Sequence, residues 1–579
     1  MNELLNKGEL IGFEQFFPGE IFDFELAIDS LPEKYLLERC ARISATLFGK
    51  EHNIIIQEDI FKIIVSNQLQ STLLPIIKEK RKLVNNEIMF FHHSCLMIMQ
   101  KKILSQKALS IVLTDREKDM YLFKLLLHCN SEYLKIISAS NSLLNEVTND
   151  VKLYLSIVMD MAQSEFMCPD SRYYATQLLK CKEFFQFAEQ DAILKDSLPT
   201  YLKNKSLLEW KEHIQILLNI YLPIATQKNT GYNNVVFNTD IPKTLISVRL
   251  FIETFVYNHN SVSLNSFQPS DIDLKLLRSY PVYQLSETLY IILFIKFFID
   301  KFFNGLTFDF YKSVSSELNH KKFIDFKSYY SYEFTQMFLL NKIMPYLFEK
   351  YKVKCFPEDK IKRPKEYGDY IVALSNRLLL FELKDITIKA EVKYSYDIEQ
   401  IKTELNKKLI EETGLKQIKN TLNLLNNREY DFINDYIKEK NITNLTVYPI
   451  VILSDSSLNA RGVNYFINQR FKEMTEDQTF NFKLKGLIII QLDFFILYKE
   501  LIRDKSFDFI NILEGYLRYV KSIKKKTFNA IGNVNLEALI SFETYFENYI
   551  SKRDIKFDGT RAFQELKEYS KEFQEKLHK

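Results

Sequence analysis

Along residues 29–320 apolar and charged residues alternate in long runs, such as YLLERCARISATLFG, QSTLLPIIKEKRKLV and DREKDMYLFKLLLHC, separated by short breaks. Apolar positions three and four apart share one helical face, so this stretch predicts an array or bundle of helices. The pattern changes near residue 325, where SYEFTQMFLLNKIMPYLFEK predicts a helix and YKVKCF a short strand. Gly368-Asp369 then opens the apolar run YIVAL, the three residues SNR can turn the chain, and LLLFELK reads as the returning strand of a hairpin. Helical spacing returns over 396–425, LTVYPIVIL (445–453) is another strand candidate, and KLKGLIIIQLDFFILYKELI (483–502) reads as a buried strand feeding a helix. From 511 onward helical spacing dominates again, including FINILEGYLRYVKSIKKK and TRAFQELKEYSKEFQEKL.

This order predicts a multidomain fold class. It comprises a large, mostly α-helical N-terminal region (1–324), an α/β core with a mixed sheet (325–510) and a helical C-terminal extension (511–579). The chain length of 579 residues agrees, being too long for one ordinary domain. With 46% apolar and 26% charged residues the composition excludes a disordered chain, and 13 Gly and 13 Pro favour few sharp turns. The 14% aromatic content is spread through helical segments and reads as core packing rather than base stacking.

Charge narrows the partners. Lys and Arg number 77 against 74 Asp and Glu, so any polyanion site must be a local patch. Candidate patches are KSIKKKTF (521–528) and the group Lys407, Lys408, Lys416 and Lys419. Six cysteines are scattered without C-x2-C spacing, which predicts free thiols in a reducing compartment. The first twenty residues lack signal-peptide order, and the most lipid-like run, YIILFIKFF (290–298), is short and carries Lys296. A cytoplasmic location and no membrane partner are therefore expected. No G-x-x-x-x-G-K-[ST] loop and no G-x-S-x-G elbow occur, so nothing points to an intrinsic ATPase or to an esterase of that class.

The informative chemistry lies in RPKEYGDYIVALSNRLLLFELKD, Arg363 to Asp385. In an extended strand, period two sets Glu382 and Lys384 on one face and Leu379, Phe381 and Leu383 on the other. Buried charged groups need partners or a ligand. The hairpin can bring Asp369 toward Glu382, and two nearby carboxylates form an oxygen site for Mg2+ or Mn2+. E-x-K also occurs at 209–211, 358–360, 391–393 and 565–567, but Glu382 closes an apolar strand after an acidic strand opening. AEVKY (390–394) is the rival, because it too can be extended.

On these residues, D-x12-E-x-K on a hairpin resembles the active-site motif of the PD-(D/E)xK, or restriction-endonuclease-like, nuclease superfamily; Pro364 stands five residues before Asp369. The resemblance covers about 325–510 and implies a restriction-endonuclease-like core there. It implies Asp369 and Glu382 as metal ligands for Mg2+ or Mn2+ and Lys384 as the residue assisting hydrolysis. Glu333, in the preceding helix, stands where the family places an additional acidic ligand, and Gln417, in GLKQIKN, stands for a helical glutamine beside the catalytic face. The implied function is a metal-dependent endonuclease hydrolysing phosphodiester bonds, with DNA favoured over RNA, in bacterial defence against foreign DNA. A homodimer or a separate defence-system partner fits this expectation. The alternative is a non-catalytic helical scaffold or nucleic-acid-binding protein with a degenerate nuclease-like domain. His92-His93 with Cys95, and the single Trp210, read as core residues.

Overall fold

The computed structural model describes residues 9–48, 54–84, 88–103, 109, 111–141, 149–164, 172–226, 236–238, 246–257, 275–318, 322–349, 354–357, 368–395, 397–411, 414–429, 431–527, 539–555, 568, 571 and 575. Pro364, the E-x-K triplets at 358–360 and 565–567, and most of the helix expected at 560–577 lie outside them. None of the described helices is long and apolar enough to cross a membrane.

The N-terminal region is mostly helical, with long helices at Glu33–Leu47, Asp115–Asn141, Arg172–Gln190 and Trp210–Thr226. Two small sheets interrupt it, which helical periodicity did not suggest. One pairs Glu9–Leu10 with Ile88–Met89; the other has the order Val236–Asn238, Leu289–Ile292, Val282–Gln284, Val256–Tyr257. The lipid-like run is thus a strand to Ile292 followed by the helix Ile295–Asp300. Lys296, buried there, is paired with Asp300 at 3.0 Å. His92, His93 and Trp210 are core residues: His93 contacts the Ser44 carbonyl oxygen, and Trp210 stacks on Phe185 at 5.6 Å. Cys40, Cys95, Cys129 and Cys181 are buried free thiols.

The second region is built on a six-stranded mixed sheet. Its strands are β1 (Lys354–Pro357), β2 (Tyr370–Leu374), β3 (Arg377–Lys384), β4 (Thr446–Leu453), β5 (Lys483–Leu484) and β6 (Ile488–Gln491). β1, β2 and β3 form an antiparallel meander; β4 lies parallel to β3, and β5 and β6 both pair in parallel with the far side of β4. Pro449, which cannot donate a ladder hydrogen bond, sits on β4 between the residues paired with β5 and those paired with β6. β3 is central and buried from Leu378 to Leu383, matching its apolar run.

The turn joining β2 and β3 is tighter than the expected three residues. Leu374 pairs with Arg377, leaving Ser375-Asn376 as the turn, with Ser375 at φ 52°. Two-residue turns with positive φ match the strand twist, and glycine enters that region with least strain. Ser375→Gly is therefore expected to raise stability by roughly 0.5–1 kcal/mol; a lower urea midpoint for the variant would show that the serine side chain contributes more than its strain costs.

Helices cover both faces of the sheet. Helix α1 (Phe323–Tyr330) runs into a π-helical stretch, Ser331–Leu340, and then α2 (Asn341–Phe348); α3 (Ile398–Leu405) and α4 (Gly414–Asn426) follow β3, and α5 (Leu492–Leu497) follows β6. Phe381 meets Phe348 of α2 and Phe495 of α5 at ring distances of 6.0 and 6.1 Å. α4 packs on β3 with a face of Leu415, Ile418, Leu422 and Leu425. Beyond the sheet, α6 (Phe509–Thr527) and α7 (Phe542–Lys552) return to it, α7 lying against β6. One continuous apolar core joins all three stretches, from Ile11 to Ile550. Ion pairs tie the N-terminal helices to the sheet region, among them Asp160 with Arg461 at 2.6 Å and Lys180 with Asp493 at 2.7 Å.

Candidate catalytic site at the open end of the hairpin

Strand register positions the carboxylates. Tyr370 pairs with Phe381, so the next positions outward, Asp369 and Glu382, fall opposite each other where the hairpin opens. The Asp369 Oδ2 accepts the Leu383 backbone N–H at 2.7 Å, which holds the start of β2 against the end of β3. Both carboxylates are buried, Glu382 completely.

A buried carboxylate needs a cation, and Lys384 supplies one. Its Nζ lies 2.7 Å from Glu382 Oε1 and also donates to Gln417 Oε1 on α4. The pair is two residues apart on one strand face, as period two requires, and Gln417 approaches from the helix covering that face. Asp369, Glu382, Lys384 and Gln417 are thereby brought together. Lys416 and Lys419 flank Gln417 on α4, Lys416 exposed and Lys419 half-buried, while the side chains of Lys524 to Lys526 lie outside the described residues.

Glu333 has no described contact with either carboxylate. The helix instead reaches Asp369 through Gln336, whose Nε2 donates to Oδ1 at 2.6 Å. No sequence signal set Gln336 apart, because the contact depends on how the helix lies against the hairpin. The rival E-x-K at AEVKY is helical, not extended: Ala390–Tyr394 forms a short helix, with Lys393 buried and 3.2 Å from Asp455. That long-range ion pair accounts for Lys393 without a catalytic role.

Asp385, one residue beyond the motif, anchors the opposite face of β3. Its carboxylate accepts two bonds from Lys327 Nζ at 2.9 Å, and others from Ser331 Oγ at 2.9 Å, Thr335 Oγ1 at 3.2 Å and Ser454 Oγ at 2.5 Å. Burial pushes its pKa up, but the Lys327 ammonium and the hydroxyl donors outweigh this and hold it below the usual carboxylate range. Lys327, Ser331 and Thr335 are spaced by four, so one row of the α1 and π-helical stretch carries all three. This network fixes the strand end carrying Lys384 against the helix carrying Gln336.

The residues fit a hard divalent cation. Gly368 leaves room beside the carboxylates, where a Cβ would stand 3.3 Å from the Phe381 carbonyl oxygen and 3.8 Å from Glu382 Oε2. The donors are carboxylate oxygens, which suit Mg2+ or Mn2+, and Mg2+ commonly takes only one or two carboxylates, completing its shell with water and substrate phosphate. Among the described residues no group of three or more His, Cys, Asp or Glu side chains forms a metal cluster. A scan against protein-family models and searches of curated proteins and of solved structures return no match.

Proposed function

We propose that this chain is a metal-dependent nuclease hydrolysing phosphodiester bonds, in DNA by preference. The observation that carries the reading is the meeting of Asp369, Glu382, Lys384 and Gln417 at the open end of one hairpin. The surrounding topology supports it: a helix, an antiparallel three-strand meander, then helices leading to a parallel strand.

Asp369 and Glu382 would hold Mg2+ or Mn2+. The ion would supply charge neutralisation at the scissile phosphate and a lowered pKa for the attacking water. Lys384, freed from Glu382 by that competing cation, would orient the water or stabilise charge developing on the phosphate. Gln417 would hold the Lys384 ammonium at the site, and Lys416 and Lys419 would meet flanking backbone phosphates. Action against foreign DNA in bacteria, alone or with a partner, follows from the family resemblance.

A second reading is favoured by one specific feature. Lys384 already neutralises Glu382, and both Asp369 oxygens accept protein hydrogen bonds, which is how a purely structural network looks. On that reading the protein is a scaffold that binds nucleic acid without cutting it. Cleavage of labelled double-stranded DNA, single-stranded DNA and RNA, with Mg2+, Mn2+ or EDTA, separates the two. Metal-dependent turnover of DNA is expected; salt-sensitive binding without turnover in any metal would leave the scaffold.

A further inference from the structure

Three parallel strands end at one cavity. Asp385, Ser454 and Leu492 immediately follow β3, β4 and β6, and all three line a space of about 390 Å³. Beyond the carboxyl ends of parallel strands is where open α/β sheets bind ligands. The facing wall comes from the N-terminal region, through residues such as Lys180, Asp300 and Thr307. None of Asp369, Glu382, Lys384 and Gln417 lines it; the Asp385 network, with Lys327, Thr335 and Ser454, forms the wall between the cavity and the hairpin site.

The wall is rich in cations: Lys180, Arg278, Lys296, Lys327, Lys389 and Lys393. Four are matched by carboxylates, Lys180 by Asp493 at 2.7 Å, Lys296 by Asp300 at 3.0 Å, Lys327 by Asp385 at 2.9 Å and Lys393 by Asp455 at 3.2 Å. Lys389, by contrast, is exposed and makes no ion pair with a described residue. The ion pairs line a cleft open to solvent, with Phe308, Thr387 and Lys389 exposed along it. They surround a space large enough for a small organic ligand and leave the Lys389 charge in surplus.

The apolar part of the wall is mostly aromatic, with Leu339, Ile388 and Leu492 beside the rings. Phe308 and Phe323 line the cavity and meet edge to face at 5.2 Å, yet Phe308 stays 45% exposed. Tyr330 and Phe334 continue the surface toward Asp385. Cations beside the exposed Phe308 ring suit a phosphate joined to a flat ring.

We propose that this cavity binds a nucleoside phosphate, with the phosphate on Lys389 and neighbouring cations and the base against Phe308 and Phe323. The ligand is either a free nucleotide or the 5′-phosphorylated end of a nucleic acid strand.

Calorimetric titration of the full chain tests this with adenosine and guanosine mono- and triphosphates, with pyrophosphate and tripolyphosphate, and with a 5′-phosphorylated tetranucleotide. Nucleoside phosphates are expected to bind at least about tenfold more tightly than inorganic polyphosphates of equal charge, the size of one stacking contact. Lys389→Glu and Phe308→Ala change exposed side chains and should keep the parent circular-dichroism spectrum while each weakens binding at least about tenfold. Tighter binding of the tetranucleotide identifies a strand end as the source, and tighter binding of the mononucleotides a free nucleotide; both support the proposal. No binding at millimolar concentration, polyphosphates binding as well as nucleotides, or affinity unchanged in both variants would overturn it. Because binding is read without cleavage, such a failure leaves the hairpin site untouched.

Discussion

Glu382→Gln is expected to lower metal-dependent cleavage by at least about 10²-fold while the protein keeps its fold. Glutamine preserves the shape of a fully buried side chain and removes the charge that would hold the cation. Losing one well-placed electrostatic group at a reacting phosphate costs about this much or more. Lys384→Met gives the complementary, non-catalytic readout. It strips the buried Glu382 carboxylate of the ammonium 2.7 Å away, and breaking such a pair costs about 3–5 kcal/mol. If Asp369 and Glu382 bind a divalent cation, Mg2+ replaces the missing charge, so it should raise the melting temperature of Lys384→Met more than that of the parent. Equal Mg2+ shifts in both proteins would remove the metal from this site, and undiminished cleavage by Glu382→Gln would move the chemistry elsewhere.

The second large effect concerns stability and pH. Glu543, in the first turn of α7, is buried against β6 and accepts the Gln491 backbone N–H at 2.6 Å. Burial raises its pKa to about 7, against the opposing effect of that hydrogen bond. The folded protein therefore holds a proton between pH 4.5 and 7 that the unfolded chain releases. Its contribution is fully present below pH 4.5 and is lost as pH rises through 7. At about 1.4 kcal/mol per pKa unit, the loss approaches about 3 kcal/mol by about pH 8. Glu543→Gln cannot ionise and keeps an oxygen for the Gln491 N–H, so it should raise the urea midpoint at about pH 8 and leave it nearly unchanged at about pH 4.5. An equal shift at both values would mean that Glu543 titrates normally.

Much of the sheet was legible because its signals are local. YIVAL and LLLFELK are apolar runs bounded by turn residues, and a central strand buried on both faces needs little else to be recognised. Period two likewise set Glu382 and Lys384 on one face before any partner was known. The turn is one residue shorter than the sequence suggests because Arg377 joins the ladder through Leu374 and Thr446, and the second of these partners is far along the chain. AEVKY illustrates the same limit. Five residues carry too little periodicity to distinguish helix from strand, and its buried lysine answers to Asp455, which local patterning cannot see.

The helical bulk of the chain, the position of the hairpin and the face carrying its charged pair all follow from propensity and spacing over a few residues, and are legible locally. Long-range packing sets the rest: Gln336 holds Asp369, Asp385 is gripped by Lys327, Ser331, Thr335 and Ser454, and cations from the N-terminal helices line a cleft beyond three strand ends. These contacts join residues tens to hundreds of positions apart. They are set by how a common apolar core stacks whole helices on the sheet, and buried polar groups then take whichever partners that packing brings within reach.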